Sequence, residues 1–126
     1  MILALRTDNP TAELYLLDQT GAVAARDTWL AERRLANELP SKIHAFLATH
    51  NTALTDLTGI VVYTGSGSFT GLRIGTTVAN ALAYSLGIVV ATAKSDQWLL
   101  QSTEVLKQAK LGRYAIPQYA APPSIT

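Results

Sequence analysis

The sequence predicts an α/β domain in which helices flank a mixed β-sheet. Short apolar runs bounded by turn residues come first along the chain, and later runs alternate with segments of helical periodicity. The chain has 126 residues, of which 48% are hydrophobic and 15% are charged, so it is long and apolar enough to form one packed core. We therefore expect a folded domain rather than a disordered chain.

The N-terminal part is predicted to form three strands joined by short turns. Residues 2–5 are the first apolar run, and residues 13–17 are the second. The turn at residues 18–21 leads into residues 22–28, for which Val23 is the main apolar anchor. This spacing predicts an antiparallel meander.

A helix with one buried face is predicted next. Apolar residues recur there at three- and four-residue spacing, namely Leu35, Leu39, Ile43, Phe46 and Leu47. Pro40 lies among them, and a proline inside a helix costs roughly 3 kcal/mol. One alternative is a helix capped by Asn37, with Pro40 in its first turn and Leu35 outside. The other alternative is a longer, kinked helix.

The following segments alternate between strand and helix. Residues 51–58 form a polar connection, and residues 60–63 form a short buried strand. A glycine-rich loop comes next, and a helix begins near Gly71 or Leu72. We expect this helix to end at Leu86, with Gly87 as the left-handed residue that follows it.

Residues 88–91 are predicted to form a fifth strand, and residues 97–107 a helix capped by Ser95 or Asp96. Right-handed crossovers then place the later strands beside the meander in a mixed five-stranded sheet with flanking helices. This is the outline of a ribonuclease-H-like or actin-like subdomain. We expect one lobe over residues 1–95. Residues 96–126 add a C-terminal helix and an extended tail, rich in proline after Gly112.

Composition limits the classes of function. The chain has ten Lys and Arg residues and nine Asp and Glu residues. The resulting net charge of +1 gives no overall field that would attract nucleic acid or a membrane. The chain has no cysteine, which excludes disulfides, thiolate catalysis and cysteine-ligated zinc. The N-terminal residues lack a basic leader and a long apolar stretch. We therefore expect a cytoplasmic protein.

The glycine loop does not match the known nucleotide-binding or catalytic motifs that contain glycine-rich loops. No lysine follows its second glycine as in a phosphate-binding P-loop, and its third glycine comes one position late for a dinucleotide fingerprint. A nucleophile elbow needs a glycine two positions before its serine and another two positions after it, and neither Ser66 nor Ser68 has both. One alternative function remains, a small anion- or nucleotide-binding module at this loop and helix start. Its residues would be Gly65, Gly67, Ser68, Thr70 and Gly71.

No catalytic set or metal site is predicted. His44 and His50 are too far apart around a helix to share a metal ion. Asp8, Glu13 and Asp18 are better explained by solvation at turns and strand edges than by acid–base chemistry. A protease-like function lacks a Ser-His-Asp arrangement. We expect no cofactor.

Small residues recur at every fourth position of the helix that follows the loop. Gly75, Ala79 and Ala83 form this stripe, and Ile74, Val78 and Leu82 form a neighbouring apolar row. The stripe permits close approach of another element, which is either the protein's own sheet or a helix of a partner. The spacing alone leaves both alternatives open.

The stretch GSGSFTGLRIG, residues 65–75, resembles the G-x-G-S-F-T-G-x-R-I-G signature of the TsaB (YeaZ) family. The segment MILALRT at the N-terminus resembles that family's first strand, usually ILA-[IL]-D-T. Residues 35–47 resemble its first long helix, which also carries a Leu-Pro pair. The resemblance covers residues 1 to about 95 and is specific in the glycine-rich signature.

The resemblance implies an actin-like (ASKHA) fold without catalysis, acting as a scaffold subunit for tRNA threonylcarbamoyladenosine (t6A) synthesis. The implied partner is TsaD, which transfers threonylcarbamoyl to an adenosine beside the tRNA anticodon, and the ATPase TsaE joins them. The two long helices form a bundle shared with TsaD or with a second copy, and tRNA is reached only through the complex. The implied partner-binding residues are Leu72, Arg73, Gly75, Thr76, Ala79, Asn80 and Ala83.

The chain departs from the family pattern in two respects. Arg6 stands where the family usually has an aspartate, and arginine cannot ligate a cation. Residues 96–116 are too few for a second lobe, so we expect a compact form that lacks that lobe and retains the terminal segment. Arg73 lies near a helix N-terminus, where a cation is unfavourable, and should have a carboxylate or carbonyl partner.

Overall fold

The strands form one five-stranded mixed sheet in the computed structural model, which describes residues 1–115. They are β1 (Ile2–Arg6), β2 (Thr11–Leu17), β3 (Val23–Leu30), β4 (Gly59–Tyr63) and β5 (Val89–Ala93). The spatial order is β3-β2-β1-β4-β5, in which β2 pairs antiparallel with β1 and β3, and β4 pairs parallel with β1 and β5. The predicted meander and the mixed sheet are confirmed.

The first helix, α1 (Leu35–Thr49), follows a short 3-10 turn at Glu32–Arg34 and contains Pro40 in its interior. The alternative of a helix capped by Asn37 is therefore wrong, and the longer helix is confirmed. Leu35 is only 5% exposed. Its burial on the same face as Leu39 and Ile43 gives the additional turn a packing gain that offsets the backbone hydrogen bond lost at Pro40.

The second helix, α2 (Phe69–Leu86), begins earlier than the sequence indicated. Ser68 is its N-cap, and the Ser68 hydroxyl accepts a hydrogen bond from the Gly71 amide at 3.2 Å. The predicted start at Gly71 or Leu72 is wrong because this cap brings the segment before Gly71 into the helix. The predicted end is confirmed, since Gly87 follows the helix with a left-handed φ of 66°.

The third helix, α3 (Ser102–Gln108), is shorter than predicted. Residues 96–101 form turns instead, and Ser95 accepts a hydrogen bond from the Gln97 amide without capping a helix. Trp98 is 3% exposed and packs edge-on against both Tyr15 and Tyr63. We infer that fixing this large ring on the sheet decides the backbone path, so packing outweighs the local helical pattern.

The two faces of the sheet are covered by different elements. Alternate strand residues such as Leu3, Leu5 and Val62 pack with α1 and α2 on one face, whereas Ala4 and Val61 pack with Trp98 on the other. Both clusters are almost fully buried. Val23 is 51% exposed, so its predicted role as the anchor of β3 is wrong.

Residues 109–115 lead away from α3, and we call them the strap. Ala115 at its end is 7% exposed and belongs to the core cluster under α1 and α2. The proline-rich part of the predicted tail, residues 116–126, lies outside the described residues. The predicted division of the chain at residue 95 stays a prediction.

Candidate functional site

The glycine loop, residues 64–68, connects β4 to α2 where the parallel strands β1 and β4 both end. A side chain on Gly67 would overlap Asp8, and the φ of 151° at Gly67 also favours glycine. A side chain on Gly65 would overlap the Tyr63 hydroxyl and the carbonyl oxygen of Lys94. These glycines therefore let the loop pack closely against the strand ends.

Arg6 and Asp8 form an ion pair beside this loop. The Arg6 Nε and Nη2 atoms donate hydrogen bonds of 2.8 and 3.1 Å to the two carboxylate oxygens of Asp8, which is 4% exposed. Arg6 Nε also lies 3.9 Å from Glu13, and the guanidinium carbon lies 4.0 Å from the centre of the Tyr63 ring. The hydrogen bond with Asp8 raises the pKa of Arg6. The cation is thus held and compensated inside the chain.

The prediction that solvation explains Asp8 is wrong, because its carboxylate is buried in this pair. The signal that the sequence offered is an acidic residue two positions after a basic one, at the end of a predicted strand. The prediction holds for Asp18, which lies in a turn where hydrogen bonds from Thr20 and Ala22 lower its pKa.

Glu13 accepts a hydrogen bond from the Tyr15 hydroxyl, next to the same ion pair. Burial of Tyr15 and this bond raise the pKa of Tyr15 to about 12. The phenol therefore stays protonated over the whole physiological pH range. Arg6, Asp8, Glu13 and Tyr15 form one connected polar network.

These contacts do not favour an anion at the glycine loop. The Ser68 amide donates to the Asp8 carbonyl oxygen at 2.8 Å, and the Gly71 amide donates to Ser68 Oγ. Amides that would bind an anion are therefore used within the chain. The carboxylate of Asp8 also lies against Gly67, where its charge repels an anion.

The small-residue stripe of α2 faces the protein's own sheet. A side chain on Gly71 would overlap the Thr7 carbonyl oxygen, and one on Gly75 would overlap the Thr7 hydroxyl. That hydroxyl donates a 2.7 Å hydrogen bond to the Gly71 carbonyl oxygen, which ties α2 to the end of β1. The chain itself buries Leu72, Gly75, Thr76, Ala79 and Ala83, so this side of α2 packs on the sheet, and the predicted contact of these residues with a partner stays a prediction.

The other predicted partner residues on α2 are Arg73 and Asn80. The Asn80 side-chain amide exchanges two hydrogen bonds with the backbone of Ala115, at 2.9 and 2.8 Å, so its role is within the chain. Arg73 is exposed. Its guanidinium forms no salt bridge with any acidic group of residues 1–115, so the expected carboxylate partner is not found there.

The side of α2 that points away from the sheet forms an exposed apolar surface with α1. The row Ile74, Val78 and Leu82 is half-buried along it. A groove of about 320 Å³ between the helices is lined by Pro40, Ile43, His44, Leu54, Val78, Ala81, Leu82 and Ser85.

A depression of about 350 Å³ adjoins this groove and is lined by Ala36, Phe69, Thr70, Arg73, Ile74, Thr77 and Val78. Val78 borders both concavities, so they form one continuous surface, which we call the α1–α2 outer face. The apolar row was predicted from the sequence, and the family resemblance implied that both long helices take part. The residues of α1 that line the groove were not predicted, because no local pattern says which side of α1 lies beside α2.

The two histidines lie at separate places, one within α1 and one at its C-terminal end. His44 lines the groove of the outer face, and His50 packs edge-on against Phe46 with 5.1 Å between the ring centres. Within residues 1–115, no three His, Asp or Glu side chains are grouped closely enough to hold a metal ion. In the same part of the chain, no helix combines the length and apolar character needed to cross a membrane.

Comparisons with known proteins link this fold to tRNA modification. A family model described as TsaD, tRNA N6-adenosine threonylcarbamoyltransferase, matches residues 29–113. The chain is 38% identical over 98 residues to the tRNA threonylcarbamoyladenosine biosynthesis protein TsaB of Bacillus subtilis (strain 168). This match covers 78% of the chain and 42% of the relative.

Solved structures agree with the predicted fold. YeaZ from Pseudomonas aeruginosa matches with 28% sequence identity and a TM-score of 0.67, over 74% of this chain and 43% of that chain. RuvC from T. thermophilus, solved in complex with a Holliday junction substrate, matches with 12% identity and a TM-score of 0.51, over 92% of this chain and 82% of RuvC. The ribonuclease-H-like or actin-like fold is thereby confirmed. The matched region covers less than half the length of the TsaB and YeaZ relatives.

Proposed function

Because the chain belongs to the TsaB/YeaZ family, we propose that it takes part in the synthesis of threonylcarbamoyladenosine in tRNA. Its role is that of a non-catalytic scaffold subunit. It pairs with the TsaD transferase through the α1–α2 outer face, so that two helices from each protein form one bundle. A second copy of this chain uses the same face when TsaD is absent.

The observation that carries this proposal is the apolar character of the outer face. A helix that packs only on its own sheet needs one apolar side, but α2 carries a second apolar row, Ile74, Val78 and Leu82, beside that side. Its inner stripe is already buried, and the outer row still leaves Val78 and Leu82 partly accessible beside the groove. Accessible apolar surface that spans two neighbouring helices is suited to packing against helices of a partner.

Charge at the border of the outer face supports the same assignment. Arg73 lines the depression, has no salt bridge within residues 1–115, and lies in the first turns of α2. A cation there is mildly unfavourable in the isolated chain. An acidic group on the partner would compensate it. Arginine is also enriched among the residues that contribute most to protein interfaces.

The geometry near the glycine loop supports the absence of catalysis. Arg6 occupies the position at which the family pattern has an aspartate, and its guanidinium is committed to Asp8 and Glu13. A guanidinium cannot serve as a metal ligand or as a general base at neutral pH. We therefore assign the loop to the positioning of α2 on the sheet.

The pairing is tested by calorimetric titration of the full chain with TsaD from the same organism. Ala81 is exposed on the groove, and Ala81→Glu would place an unpaired charge in the helix bundle. We expect binding at least about 100-fold weaker than that of the unmodified chain, with an unchanged thermal unfolding curve. Ala24→Glu is the matched control, because Ala24 is exposed on β3, away from both helices. It should bind as the unmodified chain does.

Sedimentation of the chain alone supplies the second measurement. If copies pair through the same face, Ala81→Glu should abolish the dimer, and added TsaD should displace one copy of the unmodified chain. Normal TsaD binding by Ala81→Glu would overturn the assignment of the outer face. Failure of the unmodified chain to bind TsaD would overturn the scaffold role itself.

A further inference from the structure

The largest cavity described lies at the opposite edge of the molecule from β3. It has a volume of about 500 Å³ and is bounded on one side by Val90, Ala91 and Thr92 of β5. The strap, residues 109–115, forms the other side. This strap leaves α3, which packs on one face of the sheet, and reaches Asn80 of α2 on the other face. The strap therefore crosses the outer edge of β5.

The outer edge of β5 has no strand beside it in the described residues. β5 is the last strand of the sheet and pairs only with β4. The strap passes nearby, but none of the backbone hydrogen bonds found in residues 1–115 joins the strap to β5. The edge thus offers a series of backbone donors and acceptors to an added extended chain.

The strap also places two cations at this edge. Lys110 and Arg113 are the ends of a four-residue turn, closed by a 3.0 Å hydrogen bond from the Arg113 amide to the Lys110 carbonyl oxygen. Gly112 in the turn has a φ of 85°, which favours glycine there. Both cations line the cavity, and neither forms a salt bridge with an acidic group of residues 1–115.

We propose that this cavity binds an extended acidic segment of a partner protein, which adds to β5 as a further parallel or antiparallel strand. Its backbone pairs with the edge of β5, and its carboxylates meet Lys110 and Arg113. A ligand of this site has two requirements: negative charge to pair with the exposed cations, and backbone groups that both donate and accept hydrogen bonds at the open strand edge. A peptide meets both requirements, whereas a nucleic-acid backbone has no amide donors.

This site goes beyond the proposed scaffold function and is independent of it. The cavity borders β5, α3 and the strap, whereas the α1–α2 outer face involves neither β5 nor α3. Substitutions at Lys110 or Arg113 should leave the pairing with TsaD unchanged. Failure of one proposal is therefore distinguishable from failure of the other.

The test is a fluorescence anisotropy titration of the full chain with a fluorescein-labelled peptide of alternating glutamate and valine residues. The unmodified chain should bind it, and Lys110→Glu or Arg113→Glu should each weaken binding by at least about tenfold. Both side chains are exposed, so folding should be unaffected. Lys107→Glu is the matched control, since Lys107 is an exposed cation of α3 that does not line the cavity. It should retain binding.

Strand addition is separated from simple charge attraction by two further probes. A peptide of the same sequence with N-methylated backbone amides cannot pair with β5 and should bind far more weakly. The amides of Val90 to Thr92 should become more protected from hydrogen exchange when the unmodified peptide is bound. Equal binding of the N-methylated peptide would overturn the proposal. So would no binding of either peptide, or tighter binding of an oligouridine that depends on the same two cations.

Discussion

Along α2, the side that faces the sheet consists of small residues, whereas the side that faces away carries branched residues and an exposed tyrosine. Gly75, Ala79 and Ala83 are buried against the core, and Tyr84 is 76% exposed. The outward side also carries the polar residues Arg73, Thr77 and Ser85, and a further difference separates the apolar residues of the two sides. The difference is size, because only small residues let the helix axis approach β1 closely enough for the Thr7 hydroxyl to bond the Gly71 carbonyl.

The two sides of α2 should differ in how they tolerate an added atom. The inner side fixes α2 on the sheet through steric fit, where an added atom is costly. The outer side keeps accessible apolar area, where we expect an added atom to leave the fold intact and to affect the proposed pairing. A substitution on the inner side should therefore lower stability, whereas the same substitution on the outer side should weaken assembly and leave stability unchanged.

The largest effect is expected for Ala83→Glu. Ala83 is 1% exposed, and a glutamate there would be both too large and without a charge partner. We expect a loss of about 4 kcal/mol or more in the free energy of unfolding, from burial of an unpaired charge and overpacking. Chemical denaturation followed by circular dichroism measures it. The same substitution at exposed Ala81 should change stability by less than about 0.5 kcal/mol. Similar values at both positions would contradict the two-sided description of α2.

An intermediate effect is expected for Gly71→Ala, which should destabilise the protein although the same change stabilises an exposed helix. In an exposed helix this change stabilises by about 1 kcal/mol, because alanine has the higher helix propensity. At Gly71 the new methyl group would overlap the backbone carbonyl oxygen of Thr7, which cannot move aside as a flexible side chain can.

We therefore expect Gly71→Ala to lower the free energy of unfolding by about 1–3 kcal/mol. Denaturant unfolding measures the change, and Thr77→Ala is the control, since Thr77 is exposed on the same helix. That control should lie within about 0.5 kcal/mol of the unmodified chain. A stabilised Gly71→Ala variant would show that α2 is not seated tightly on Thr7.

The smallest effect is expected at Asn80, on the border between the two sides of α2. Asn80→Ala removes both hydrogen bonds to the Ala115 backbone, and we expect a global loss of about 1 kcal/mol. The local effect should be clearer, with faster hydrogen exchange at the Ala115 amide as the strap detaches. Asn80→Asp keeps the acceptor for this amide but places a second carboxylate oxygen against the Ala115 carbonyl oxygen, so it should preserve only part of the protection. Unchanged exchange in Asn80→Ala would mean that other contacts hold the strap.

Much of the fold could be predicted because it depends on local patterns. The five strands, the helix ending at Gly87 and the order of elements follow from apolar runs, periodicity and turn residues. The start of α2 was missed because glycine at position 71 has low helix propensity, although Ser68 is a good N-cap. The early part of the third predicted helix was missed because Trp98 is fixed by Tyr15 and Tyr63, which are distant in sequence.

The sequence by itself determined the element types, the resemblance to the TsaB (YeaZ) family in the glycine-rich signature, and the existence of a small-residue stripe on α2. Only the tertiary structure decided which way that stripe faces and that Arg6 is neutralised by Asp8. It also placed Lys110 and Arg113 beside the free edge of β5. The physical reason is that the periodicity of apolar residues predicts only that one side of a helix will be buried. Which surface covers that side depends on the elements that the fold of the whole chain brings beside it.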